Sequence, residues 1–172
     1  IQSIEYGVFS YCTSLLSLTI PGNVTSIGSY AFEHCSSLLT IDLPEGLQSI
    51  GYYSFQDCEK LIAVTIPEAV TTMDEGVFIS CDSLVSVTLS GDLLTLSKRC
   101  FYDCPSLVSV VLKKGVLSID EECFAQCTAL SQIIIPSGVL SIGKAAFQGC
   151  SSLKSVNLSS GLLSIGDSAF AL

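Results

Sequence analysis

All eight phenylalanines of this 172-residue chain (Phe9, Phe32, Phe55, Phe78, Phe101, Phe124, Phe147 and Phe170) stand 23 residues apart, with no insertion or deletion between them. Nothing else in the sequence constrains the fold as tightly. A unit of that size cannot bury its own apolar side, so it must stack on identical neighbours, each repeated position becoming a ladder through a continuous core. Counting from each Phe, a Leu falls six residues later, at Leu15, Leu38, Leu61, Leu84, Leu107, Leu130 and Leu153. Aliphatic residues follow at nine, eleven, fifteen and eighteen, as in Val156, Leu158, Leu162 and Ile165. This spacing fits neither one helix nor one amphipathic strand, and calls for a coil that turns corners. The last of these columns reads Ile27, Ile50, Met73, Leu96, Ile119, Ile142, Ile165, the near-isosteric exchanges a packed core tolerates best.

The corners can be placed from residue chemistry. Segments such as "LSLTI", "SQIII" and "KSVNL" are rich in β-branched and aliphatic residues, and Pro21, Pro44, Pro67 and Pro136 close four of them. Each reads as a short strand ending in a turn. Gly46, Gly115, Gly138 and Gly161 suit the turn that follows, and "LLSI" and its equivalents then run extended. The stretch ahead of each Phe carries small residues and no Pro, which predicts about one helical turn.

The pattern Cys-x-x-Leu-x-x-Ile/Val-x-Leu-Pro-x-x-Leu-x-x-Ile-Gly-x-x-Ala-Phe, read from "CSSLLTIDLPEGLQSIGYYSF" and "CTALSQIIIPSGVLSIGKAAF", resembles the 23-residue Treponema-type leucine-rich repeat of BspA-like proteins. The resemblance covers essentially the whole chain. It departs from the commoner leucine-rich pattern, whose Asn position is filled by Asn only at Asn23, so no asparagine ladder is expected. The expected fold is α/β leaning to mainly β. It is a right-handed leucine-rich-repeat solenoid, with one short parallel strand, a second extended segment and a short helical turn per repeat. Residues 1–172 are expected to form a single repeat domain of about seven repeats, an uncapped excerpt of a longer chain, since it opens on Ile1 inside a repeat and stops two residues past Phe170. The resemblance implies a surface or adhesion module.

Composition narrows the function. Seven basic residues face sixteen acidic ones, for a formal charge of −9, and no Lys or Arg precedes Lys60. A phosphate-tracking surface is not expected, and nucleic acid is excluded as a partner. Lys98, Arg99, Lys113 and Lys114 cluster, but four charges in so acidic a chain read as a solvated patch. No apolar run approaches the roughly 20 residues a membrane-spanning helix needs.

Seven of the nine cysteines, Cys12, Cys35, Cys58, Cys81, Cys104, Cys127 and Cys150, sit three residues after a Phe. Their reading is a ladder of free buried thiols, since Cys is among the most often buried residue types. Cys100 and Cys123 immediately precede their Phe, in a column otherwise filled by Ala31, Ser54, Val77, Ala146 and Ala169. Cys100, Cys104, Cys123 and Cys127 could in principle hold zinc, or a disulfide could form among them in an exported protein, and both remain as alternatives. No cofactor is called for. His34 is the single histidine, beside Glu33, and reads as surface. One His with no oriented partner supports no Ser-His-Asp or Cys-His set, and paired acids such as Glu121 and Glu122 are sequence neighbours that do not face one cleft. The chain is not expected to be an enzyme.

The variable columns form the surface on which a solenoid reads its partners. Sixteen residues after the Phe stand Thr25, Gln48, Thr71, Leu94, Leu117, Leu140 and Leu163; seven after stand Leu16, Leu39, Ile62, Val85 and Val108, then Ser131 and Lys154. Facing outward, each makes an apolar stripe for a partner; tucked against the core, neither does. The spacing leaves both open. The two asparagines, Asn23 and Asn157, lie in glycosylation sequons, "NVT" and "NLS". The expected function is a non-catalytic protein–protein interaction module of BspA-like surface type, with a structural scaffold subunit of a larger assembly, membrane-associated or organellar, as the alternative.

Overall fold

A computed structural model describes residues 1–89, 92–113 and 115–172. The chain winds into a stack of coils, each contributing two short parallel strands. The shorter kind has two residues: β1 (Ser3–Ile4), β3 (Ser26–Ile27), β5 (Ser49–Ile50), β7 (Thr72–Met73), β9 (Thr95–Leu96), β11 (Ser118–Ile119), β13 (Ser141–Ile142) and β15 (Ser164–Ile165). The longer kind comprises β2 (Ser17–Thr19), β4 (Thr40–Asp42), β6 (Ala63–Ile66), β8 (Ser86–Leu89), β10 (Ser109–Leu112), β12 (Gln132–Ile134) and β14 (Ser155–Asn157). Every pairing is parallel and joins residues one repeat apart, as in Val64↔Val87 and Ser118↔Ser141. Strand positions alternate across the sheet, so Val64 and Ile66 in β6 point into the core while Ala63 and Thr65 point out.

Six of the eight phenylalanines, Phe32 through Phe147, are fully buried, and the whole column stacks ring on ring. Neighbouring centroids lie 5.0–5.5 Å apart, with interplanar angles of 1–11°. The columns picked out by periodicity line the core beside them, among them Leu38, Leu61, Leu84, Leu107 and Leu130.

The expected helical turn is absent: no helix occurs among the described residues. The backbone shows why. Two residues before and two after the Phe, φ is positive: Tyr30 at 59° and His34 at 53° flank Phe32, and Tyr53 at 53° and Asp57 at 55° flank Phe55. A residue in the left-handed region ends a right-handed helix, so the segment is a chain of turns. Its amides alternate in direction. Ala31, Glu33 and Cys35 donate three residues back within their own coil, while Tyr30, Phe32 and His34 donate to Tyr52, Ser54 and Gln56 of the next. Half of the donors a helix would consume instead bind one coil to its neighbour.

Candidate interaction surface

The cysteine ladder resolves into structure. Each thiol from Cys35 to Cys150 in the repeated column donates to the carbonyl of the Phe in the preceding coil: Cys35 to Phe9, Cys58 to Phe32, Cys81 to Phe55, Cys104 to Phe78, Cys127 to Phe101 and Cys150 to Phe124, at 3.1–3.3 Å. At Phe9, Phe32, Phe55 and Phe124 the same carbonyl also accepts the backbone amide of the Cys in its own coil, as Cys35 N–H does to Phe32, so there the thiol fills the acceptor's second lone pair. All nine cysteines are free, and eight are buried. Burial pushes the thiols of Cys35 and Cys150 up to about 11, and those of Cys58, Cys81, Cys100, Cys123 and Cys127 upward as well. Such groups resist forming the thiolate that metal binding or nucleophilic attack needs. Among the described residues no three His, Cys, Asp or Glu side chains are grouped to hold a metal.

The charged candidates pair locally. Lys98 meets Glu121 at 3.3 Å, Arg99 meets Glu122, and Lys113 reaches Glu68 at 2.8 Å; Lys114 lies outside the described residues. Lys98, Arg99 and Lys113 are thereby spent on carboxylates one or two coils away. His34 is half-buried, stacks on Tyr11 with centroids 4.5 Å apart, and places Nε2 3.2 Å from Asp57 Oδ2. Glu121 and Glu122 serve different basic partners, and no catalytic constellation forms around them.

The variable columns open to solvent. Leu94 is 59% exposed, Leu117 and Leu140 are 42%, and Leu163 is exposed too. Their amides continue the inter-coil ladder, Leu117 N–H to Leu94 and Leu140 N–H to Leu117, which fixes the side chains in one row ahead of β9, β11, β13 and β15. The other column, Leu16, Leu39, Ile62, Val85 and Val108, is likewise exposed, at the head of each longer strand. On the longer strands, two large outward apolar residues were not singled out by the sequence reading: Val111 at 55% and Ile134 at 71%. The signal was present, because residues nine and eleven after the Phe face the core and the one between must face out. Asn23 is exposed at a turn and Asn157 is exposed on β14.

The longer-strand sheet is interrupted twice. β6, β8 and β10 pair as one sheet, β2 and β4 as a second, β12 and β14 as a third. A cleft of about 400 Å³ opens between β4 and β6, walled by Thr40, Asp42, Glu45, Thr65 and Pro67. Another, of about 280 Å³, opens between β10 and β12 beside Ser109, Val111, Gln132 and Ile134. Inter-coil bonds on either flank persist, Ile62 N–H to Leu39 at the first and Ala129 N–H to Pro105 at the second, so the coils stay stacked while the sheet parts.

A coil of parallel strands on a leucine ladder, with ordered turns and an exposed variable face, defines a leucine-rich-repeat solenoid. The chain belongs to the BspA-type leucine-rich-repeat family, whose model matches residues 2–131 and 118–172. Among solved structures it is similar to a leucine-rich cell surface protein of Faecalibacterium prausnitzii A2-165, at 37% identity and a TM-score of 0.83, covering 91% of this chain and 42% of that one. It is also similar to the leucine-rich-repeat protein of T. pallidum, at 31% identity and a TM-score of 0.79, covering 89% of this chain and 72% of that one. A leucine-rich-repeat protein of Bacteroides ovatus ATCC 8483 gives 28% identity and a TM-score of 0.75, covering 96% of this chain and 48% of that one. The chain thus spans less than half of the Faecalibacterium and Bacteroides proteins. No curated protein matches it. Proteins of this repeat family are generally non-catalytic scaffolds, and no catalytic family is indicated. No helix among the described residues is long and apolar enough to cross a membrane.

Proposed function

We propose that the chain is a non-catalytic protein-binding module of a cell-surface adhesin, and that its exposed leucine column takes part in the contact. The observation that carries this is the row Leu94, Leu117, Leu140, Leu163, repeated on four successive coils yet exposed. Core packing does not require it, since the buried columns beside it are already complete, and a contiguous exposed apolar row marks an interaction surface. The surface location rests on the Faecalibacterium relative, described as a cell surface protein. Glycosylation at Asn23 and Asn157, both exposed, belongs to the same proposal where the chain passes through a eukaryotic secretory route.

The test is direct. Immobilised protein is exposed to secreted and membrane-protein fractions, a captured protein is purified, and its affinity is measured for the wild type and for Leu117→Asp with Leu140→Asp. Both positions are surface-facing, so folding, checked by circular dichroism, is expected to persist. A loss of at least tenfold in affinity is expected; unchanged affinity would remove the leucine column from the contact.

A further inference from the structure

We infer that the outward face of the longer-strand sheet is a linear peptide groove. Its occupant is an extended segment that carries a basic side chain and an apolar side chain four residues apart. The inference rests on the protein-binding reading but names a different surface from the leucine column.

Three observations converge on it. The two clefts sit on the same face, at the two places where strand pairing lapses. Their chemistry differs. The first presents the exposed carboxylates Asp42 and Glu45, which have no ion-pair partner among the described residues, whereas the Glu68 carboxylate nearby is held by Lys113. The second is flanked by the exposed side chains of Val111 and Ile134. Between them the outward positions of β6 and β8 are small, namely Ala63, Thr65, Ser86 and Thr88, so a second chain can lie close over this floor.

The geometry then sets the spacing. From the β4–β6 opening to the β10–β12 opening is three strand separations, roughly 14 Å at about 4.8 Å each. An extended chain advances about 3.3 Å per residue, so four residues span roughly 13 Å, and residues i, i+2 and i+4 share one face. A basic residue seated by Asp42 and Glu45 therefore delivers residue i+4 to Val111 and Ile134, with residue i+2 over Ser86 and Thr88. That middle residue must be small. A spacing of three sends the apolar side chain to the opposite face.

The probes are short acetylated and amidated peptides, Gly-Arg-Thr-Ser-Thr-Leu-Gly, its reversed sequence, and the spacing control Gly-Arg-Thr-Ser-Leu-Thr-Gly. They are titrated into the isotopically labelled chain and followed by amide NMR shifts. One of the first two peptides is expected to bind in the millimolar range or tighter. Its perturbations should centre on residues 40–45, 63–67, 109–111 and 132–134, with affinity at least threefold above that of the spacing control. Asp42→Asn with Glu45→Gln should weaken it about fivefold, as should Ile134→Ser, the size expected for one exposed contact. Leu117→Asp should leave it unchanged. Equal binding of the spacing control, perturbations centred elsewhere, or no perturbation at 5 mM peptide each overturn the groove. A captured protein whose affinity falls with Leu117→Asp but not with the Asp42, Glu45 or Ile134 variants leaves the module reading standing and removes this one. A protein insensitive to both sets removes both surfaces.

Discussion

The thiol ladder should make this fold sensitive to alkali. Cys58, Cys81, Cys100, Cys123 and Cys127 have no exposed surface, and burial raises each well above the ordinary thiol value of 9.0. In the unfolded chain the same thiols ionise around that value. Between pH 8 and pH 10 the unfolded state therefore binds fewer protons than the folded state, and stability falls as pH rises. Stability from these groups is fully present below the unfolded value and is lost progressively above it. Ionising one unfolded thiol across that interval is worth about 1.4 kcal/mol, so five are worth about 7 kcal/mol. Cys35 and Cys150, raised to about 11, add in the same direction. A loss of that size rivals the whole stability of an ordinary domain, about 5–15 kcal/mol.

The assay is urea unfolding followed by circular dichroism at pH 8, 9 and 10, under reductant. Cys100→Ala with Cys123→Ala provides the internal control, because that column is already occupied by Ala31, Ala146 and Ala169 elsewhere in the stack. The double variant should be somewhat less stable at pH 8, by about 1 kcal/mol per lost sulfur. It should lose about 3 kcal/mol less than the wild type between pH 8 and pH 10. An alkaline loss identical in the two proteins would refute the assignment of that loss to buried thiols.

Three further outcomes follow from the coil geometry. Phe101→Ala removes a fully buried ring stacked 5.5 Å from Phe78 and 5.3 Å from Phe124. It should cost about 3–5 kcal/mol, with hydrogen exchange accelerating first in the two adjacent coils, since stacked repeats couple to nearest neighbours. A Cβ on Gly143 would lie 2.5 Å from the backbone nitrogen of Glu121, whereas one on Gly22 would meet nothing within 4 Å. Gly143→Ala should therefore lower the thermal midpoint by the equivalent of about 1–3 kcal/mol, and Gly22→Ala should hold or raise it. The Ser54 hydroxyl is fully buried with no hydrogen-bond partner, in the column where Ala31 stands one coil earlier, so Ser54→Ala should stabilise by about 1 kcal/mol in the same melts.

The stack, its register and its core columns were legible in the sequence because a fixed 23-residue period leaves one way for Phe9 to Phe170 to line up. The helical turn was not. Small residues such as Ala145 and Ala146 have good helix propensity, but Ala145 adopts a φ of 53° so that its amide can reach Asp167 in the next coil. Inter-coil bonding overrides local preference there. The two sheet interruptions were invisible for a different reason: Thr40–Asp42 and Ala63–Ile66 read alike as strands, and whether two adjacent strands pair is decided by the stack. Of the four thiols named for the zinc alternative, Cys104 and Cys127 donate to Phe carbonyls, a use the sequence pattern did not reveal.

Repetition also explains why the outer surface carries information. Identical apolar side chains can stack from coil to coil at no cost, but identical charges at that spacing repel. The column three residues before the Phe obeys this, running Glu75, Lys98, Glu121, Lys144, Asp167 with alternating sign, and Lys98 and Glu121 are in contact at 3.3 Å. Charged columns must therefore vary from coil to coil, while buried columns are held to apolar or small residues. Leu94, Leu117, Leu140 and Leu163 fit neither rule, for they are exposed yet invariant through four coils, after Thr25, Gln48 and Thr71 fill the same column earlier. The fold tolerates polar residues at that position, as the first three coils demonstrate. On the proposed function, the switch to leucine answers to a contact outside the fold and not to the core.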